Sequence, residues 1–312
     1  MKNKLIILAF SLPLLIIQCQ KQDKKETMQQ TEYKYKNTTR PVYVLGLNIP
    51  GPHEVYVNDI LIHFENETSM HNYGADINPY ILKSGTYPFR VRVYPTIGEE
   101  NGIEPETAKF IRVTLDTAER NLTGDGGTRT LPDTYKVLQE FVVPKIDKPV
   151  PFLDITGTLK IDVPYDLEGW SKGQDLRKMD QKVLQEKVVA YYQKLWTVLN
   201  DGKGQEYLNL WKKSDEELSV FNYEKHINNE VEKINKAKGR MALLEDYSMK
   251  IYGDGKLVTL ERDNHTEEIN GKKIDLKGKS PLYRLALYDG IGSYPVKLYL
   301  PQGSNDFIII RK

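Results

Sequence analysis

Beyond Arg40-Pro41 the apolar residues return at every second position, and this period of two limits the fold more than any other feature of the chain. Successive side chains of a strand point to opposite faces, so alternation marks strands buried on one side. Val55 and Val57 alternate with Glu54 and Tyr56, and Ile60, Ile62 and Phe64 alternate with Leu61 and His63. Asn58-Asp59 between them supplies a hairpin turn. Phe89, Val91 and Val93 oppose Arg90, Arg92 and Tyr94, and Ile111, Val113 and Leu115 oppose Arg112 and Thr114. Further runs at Tyr135 to Val143 and Thr158 to Val163 bring the expectation to seven or eight strands without a helix. Regular short strands separated by turns predict an all-β sandwich over residues 40–166.

A different pattern follows. Asp166 to Gln174 holds Gly169, Ser171 and Gly173, which places a linker at 167–177, exposed unless Trp170 is packed. Leu184, Val188, Tyr191, Leu195 and Val198 then recur at helical steps, and Asn200-Asp201-Gly202 ends that helix. A shorter helix carries Tyr207, Leu210 and Trp211. Ser214 with Glu217 reads as a capping box opening a third helix, with Leu218, Phe221, Val231 and Ile234 inward. After Arg240 the period is two again, with Asp254-Gly255 and Asn270-Gly271 as hairpin turns. Strands are expected near residues 247–252, 257–262, 282–288, 296–300 and 307–310. Helices followed by an antiparallel sheet predict an α+β domain over 178–312. The fold class expected is therefore multidomain, an N-terminal all-β sandwich followed by a C-terminal α+β domain. A length of 312 residues agrees with two domains at roughly 150 each.

Two family resemblances attach to these segments. Val55 to Asp59, Asp76 to Gly85 and Phe89 to Tyr94, about forty residues, resemble jelly-roll sandwiches of the galactose-binding type, which implies a sugar-binding or accessory sandwich and carries over no binding residue. The opening helix, Asn200-Asp201-Gly202 and the short helix ending Leu210-Trp211 are similar to the start of the cone-shaped fold of nuclear transport factor 2. That likeness implies a sheet wrapped round helices with a cavity.

The amino terminus speaks to location. Lys2 and Lys4 precede the mainly apolar run Leu5 to Ile17, and Gln20 to Glu26 are polar or charged, so residues 1–18 read as a signal peptide. Cys19 is the single cysteine of the chain, which excludes an intrachain disulfide. Ile16-Ile17-Gln18-Cys19 resembles the lipobox of bacterial lipoproteins, although Gln18 stands where those proteins have Gly, Ala or Ser. The resemblance implies removal of the signal and acylation of Cys19, the expected lipid-attachment residue. Residues 19–39, almost devoid of core-forming side chains, then form a stalk, with Tyr33 and Tyr35 exposed. The expected location is the cell envelope, at the periplasmic face or surface of a bacterial membrane. Loss of Lys2 and Lys4 turns the net charge from +1 to −1, so acyl chains rather than attraction to anionic lipid hold the protein there.

Composition and motifs narrow the chemistry. Near-neutral charge argues against a nucleic-acid partner, and a mean hydropathy of −0.53 argues against a membrane-spanning protein. The chain has no Gly-x-Ser-x-Gly, no Gly-x-Gly-x-x-Gly and no phosphate loop. Gly124-Asp125-Gly126-Gly127 comes nearest, but it lacks a following helix and lysine and reads as a hairpin. His63, Glu65, Glu67 and His71 could be imagined around a metal, yet a polar strand face followed by a loop explains them, and no metal or other cofactor is expected. Tyr191, Tyr192, Trp196 and Trp211 read as core. No catalytic residue is assigned. The expected function is a lipid-anchored envelope protein acting as a binding or scaffold module, its partner an unidentified envelope protein or glycan. Two alternatives stand beside it: a glycan-binding lipoprotein that uses the sandwich, marked by aromatics on one sandwich face, and an enzyme with a cavity in the α+β domain.

Overall fold

In the computed structural model, which describes residues 33–224, 231–269, 271–285 and 290–311, the alternation before residue 162 becomes eight strands. They are β1 (Pro41–Pro50), β2 (His53–Val57), β3 (Ile60–Glu65), β4 (Met70–Asp76), β5 (Gly85–Val93), β6 (Arg112–Leu122), β7 (Thr128–Glu140) and β8 (Leu153–Ile161). A one-turn helix, α1 (Pro105–Ala108), lies between β5 and β6. The amino-terminal region is β-rich, built as two four-stranded antiparallel sheets ordered β4-β1-β6-β7 and β3-β2-β5-β8. Leu45, Leu47, Ile49, Val113 and Leu115 of the first sheet share one core with Val55, Val57, Phe89, Val91, Val93 and Ile155 of the second. Each such side chain contributes about 1.5–3 kcal/mol on burial. Asn58 and Asp59, with φ of 50° and 60°, close the β2–β3 hairpin in the left-handed geometry that Asn and Asp tolerate.

The carboxy-terminal elements are α2 (Gln181–Asn200), α3 (Gly204–Leu210), α4 (Lys212–Asn222) and α5 (Val231–Asn235). The strands that follow are β9 (Tyr247–Tyr252), β10 (Leu257–Arg262), β11 (Thr266–Ile269), β12 (Lys272–Asp275), β13 (Tyr283–Leu285), β14 (Ile291–Ser293), β15 (Lys297–Tyr299) and β16 (Ile308–Arg311). Asp180 caps α2 by accepting hydrogen bonds from the amides of Lys182 and Val183, both at 3.0 Å. Its buried stripe is Leu184, Val188, Tyr192, Leu195 and Val198. Tyr192 rather than Tyr191 takes the central position, and its hydroxyl donates to the Val296 carbonyl at 2.8 Å. Strands β16-β15-β10-β9 form a sheet behind the helices. β13 pairs with β14, and β11 with β12, as separate hairpins, so the strand expected near residues 282–288 does not join that sheet.

Three local expectations are corrected. Tyr33 and Tyr35, read as exposed, are half-buried against the amino-terminal core, and their hydroxyls bond Asp166 and Val220 carbonyls at 3.1 and 2.9 Å. Ser214 and Glu217 are not a capping box: α4 begins at Lys212, and both residues lie inside it and are buried. Glu217 has another task, accepting from the Gly169 amide at 2.8 Å and pairing with Arg311 at 2.8 Å. Val231 and Ile234 belong to the separate helix α5, because the chain leaves α4 at Tyr223 in the left-handed conformation.

Residues Tyr33–Lys312 make one compact unit. Val220, Phe221 and Tyr223 around the end of α4 enter the core of the amino-terminal sheets. Arg311 of the last strand lies between the rings of Trp170 and Phe221 and donates to the Pro79 carbonyl at 2.6 Å. Trp170, 3% exposed, packs with Ile60, Leu257, Tyr299 and Ile310. The β3-β2-β5-β8 sheet thus carries contacts to the carboxy-terminal elements, including the Gly253 amide on the Asp59 carbonyl at 3.1 Å.

Candidate binding groove on the first sheet

The outward face of β4-β1-β6-β7 is set by the alternation that fills the core. Leu45, Leu47 and Ile49 point inward, so Val44, Gly46 and Asn48 point outward. Register then aligns three rows across the sheet: Val44, Asp116 and Val137; Gly74, Gly46, Thr114 and Glu140; Asn72, Asn48 and Arg112. A Cβ on Gly46 would lie 2.4 Å from Thr114 Oγ1 and 2.6 Å from Asp116 Oδ2, and one on Gly74 would lie 2.5 Å from Val44 Cγ1. The two glycines therefore keep the middle row at backbone level, and a groove of about 400 Å³ runs over them. That volume falls in the range of small-ligand sites.

Asp116 is the chemical centre of the groove. It is 4% exposed. Its Oδ2 accepts from the Tyr135 hydroxyl at 2.6 Å, while its Oδ1 is buried without a hydrogen-bond partner. A buried acceptor left unmade costs about 1–3 kcal/mol, and more when charged. The Tyr135 ring is 57% exposed, and the hydrogen bond to Asp116 raises its hydroxyl's pKa. Val137 beside it is 46% exposed. At the other end Arg112 pairs with Glu140 at 2.8 Å, and Asn48 and Asn72 offer amides.

A histidine cluster lies against the same edge strand. β3 and β4 bring His63 and His71 towards each other, as the sequence spacing allowed, and β2 adds His53, which sequence reasoning missed. A turn at Asn58-Asp59 alone would put His53 opposite Phe64; a register shift between Val55 and Tyr56, which no sequence pattern discloses, moves it opposite Glu65. His53 Nδ1 donates to the Gly51 carbonyl at 2.8 Å, and Nε2 accepts from the Tyr73 hydroxyl at 2.7 Å. Burial holds its pKa down to about 4 and also lowers that of His63, whose Nε2 has no partner. His71 Nε2 faces the Glu67 carbonyl at 3.1 Å, so Glu67 offers its backbone rather than its carboxylate.

Elsewhere, Glu245, Asp246 and His265 are the one set of three ligand-type side chains among the described residues with atoms mutually within 4.8 Å. His265 bridges Asp246 at 3.2 Å and Glu267 at 3.0 Å, and Glu267 also takes the Tyr283 hydroxyl. Long separation in the chain hid this group. An open cleft of about 570 Å³ beside α3 and α4 is lined by Tyr191, Leu210, Lys213, Glu216 and Phe307. Burial raises the pKa of Glu261 and lowers that of Lys297 to about 8, but neither residue lines the groove or this cleft. Gly124 to Gly127 form the β6–β7 turn, closed by the Thr123 amide on the Gly127 carbonyl. Cys19 lies outside the described residues. Comparisons with protein-family models, curated proteins and solved structures returned no match.

Proposed function

We propose that this chain is a lipid-anchored cell-envelope protein, attached through Cys19, that binds a ligand in the groove of the first sheet and does no chemistry on it. The observation that supports the groove is Asp116. Its carboxylate takes the hydroxyl of the half-exposed Tyr135 in a depression floored by Gly46 and Gly74, whose lining of Arg112, Asn48, Asn72 and Val137 offers a ligand both polar and apolar contact. The supporting frame is a β-sandwich, with the later helices and sheet as a buttress against its second face. The alternative of an enzyme working in a carboxy-terminal cavity draws less support, since the pair with opposed pKa shifts, Glu261 and Lys297, lines neither depression.

The anchor is tested by feeding cells a labelled fatty acid. Wild type is expected to take up label and fractionate with membranes, and Cys19→Ala to do neither. Equal labelling of both would remove the lipoprotein reading.

A further inference from the structure

We propose that a divalent ion of the zinc type binds between Glu245, Asp246 and His265 and clips the segment entering β9 to the loop between β10 and β11. One carboxylate oxygen of Glu245, one of Asp246 and one ring nitrogen of His265 lie within 4.8 Å of one another. Main-chain bonds hold the two segments in place: the Asp263 amide donates to the Asp246 carbonyl at 3.0 Å, and the Leu276 amide to the His265 carbonyl at 2.8 Å. The imidazole is oriented from behind. Its Nε2 lies 3.0 Å from Glu267 Oε1, and the Tyr283 hydroxyl donates to the same oxygen. Nε2 therefore carries the proton, the arrangement in which a carboxylate fixes the tautomer of a metal-binding histidine. The lone pair of Nδ1 is then left facing Asp246 Oδ2 at 3.2 Å, acceptor against acceptor. Two ligand atoms on one tetrahedral zinc stand about 3.3 Å apart, so an ion fits there with little movement. A proton on Nδ1 would serve that pair as well, but it would leave the convergence of Glu245 without a use. Charge agrees with a divalent ion: Arg262 donates to the Tyr283 hydroxyl oxygen at 3.3 Å and offsets Glu267, which leaves Glu245 and Asp246 as two negative charges. One nitrogen beside two carboxylates suits zinc rather than magnesium or calcium, which take oxygen alone. Glu245 and Asp246 are exposed and His265 is half-buried, so the ion enters from solvent and water completes its coordination.

Untagged full-length protein in detergent, stripped with EDTA and dialysed, is titrated with zinc chloride at neutral pH by calorimetry, and its melting is followed with and without zinc. Wild type is expected to bind one ion per chain and to melt at a higher temperature with zinc, as a ligand of the folded state requires. His265→Ala is expected to abolish both effects. Glu267→Gln, which removes only the group behind the ring, is expected to weaken zinc by about 10–100-fold. Glu245→Gln, at an exposed position, keeps the test open if His265→Ala does not fold, and is expected to weaken zinc about tenfold or more. His71→Gln, in the other histidine cluster, is expected to bind as wild type does. No binding by wild type would overturn the proposal and leave His265 with a proton between its carboxylates. Affinity unchanged in His265→Ala and Glu245→Gln, or lost in His71→Gln, would overturn it by placing the ion elsewhere. Equal competition by magnesium or calcium would reduce the site to an acidic patch and overturn the assignment of the histidine.

Discussion

Asp116 and His53 are both buried polar side chains, one on each of the two amino-terminal sheets, and only His53 has all its polar atoms satisfied. Both ring nitrogens of His53 are satisfied by Gly51 and Tyr73. Its role is to tie β2 to the edge strand β4, and its cost appears in pH dependence. The unfolded chain binds a proton at His53 near its ordinary pKa of 6.5, whereas the folded chain resists until about 4. Stability from this residue is therefore full above about pH 6.5 and falls as pH drops towards 4, because the unfolded state binds more protons in that window. His63 is shifted in the same direction. Urea unfolding at pH 7 and pH 5 is expected to differ by at most about 2 kcal/mol from His53 alone, and His53→Gln, though less stable at pH 7, to show a much smaller difference. Equal pH dependence in both would mean that the histidine titrates normally in the folded protein. The sequence offered His63 and His71 by proximity and withheld His53, because its neighbours come from hairpin register rather than from spacing along the chain.

Among the elements, β1 and β6 do two jobs with opposite faces. The inward positions of β6 were legible, since Val113 and Leu115 are spaced by two and a core needs them; those of β1, Leu45 and Leu47, came only with the structure. Their outward positions were not, because Gly46, Asn48, Thr114 and Asp116 look like any solvated face until the register sets them beside Gly74 and Tyr135. Helix α2 was similarly readable from its stripe, but the start of α4 was not: Ser214 and Glu217 have capping-box spacing, while the partners that fix Glu217 are Gly169 and Arg311, which no local pattern discloses. The close fit above Gly46 gives an element-level test. Gly46→Ala places a methyl against Thr114 and Asp116 and is expected to cost about 1–3 kcal/mol of stability, as overpacking does, and to lose ligand retention by displacing the Asp116 carboxylate. Gly85→Ala is the control, since its added carbon meets only Tyr87 Cε2 at 3.7 Å. If the two substitutions had equal effects on retention, the glycine floor would have no part in the groove.

At the scale of the molecule, the sequence revealed the order of strands, helices and strands, while the export signal and the acylated Cys19 it suggests lie outside the described residues. What it hid is how the parts meet: Trp170, Glu217 and Arg311 come from three distant segments and join residues of both regions in one compact unit. In the proposed arrangement an acylated amino terminus holds that unit at a membrane, and the groove faces whatever the envelope presents. Because Cys19 is the only native cysteine and is expected to be acylated, a thiol introduced elsewhere reports on its own surroundings. The most direct measurement is the reactivity of Val137→Cys, at the groove, and Val142→Cys, 88% exposed outside it, towards N-ethylmaleimide in intact cells and after purification. An occupied groove predicts that the thiol at position 137 is shielded in cells, relative to position 142, and regains its reactivity in the purified protein. The same reactivity ratio in cells and in purified protein would contradict the claim that this groove is where the protein binds.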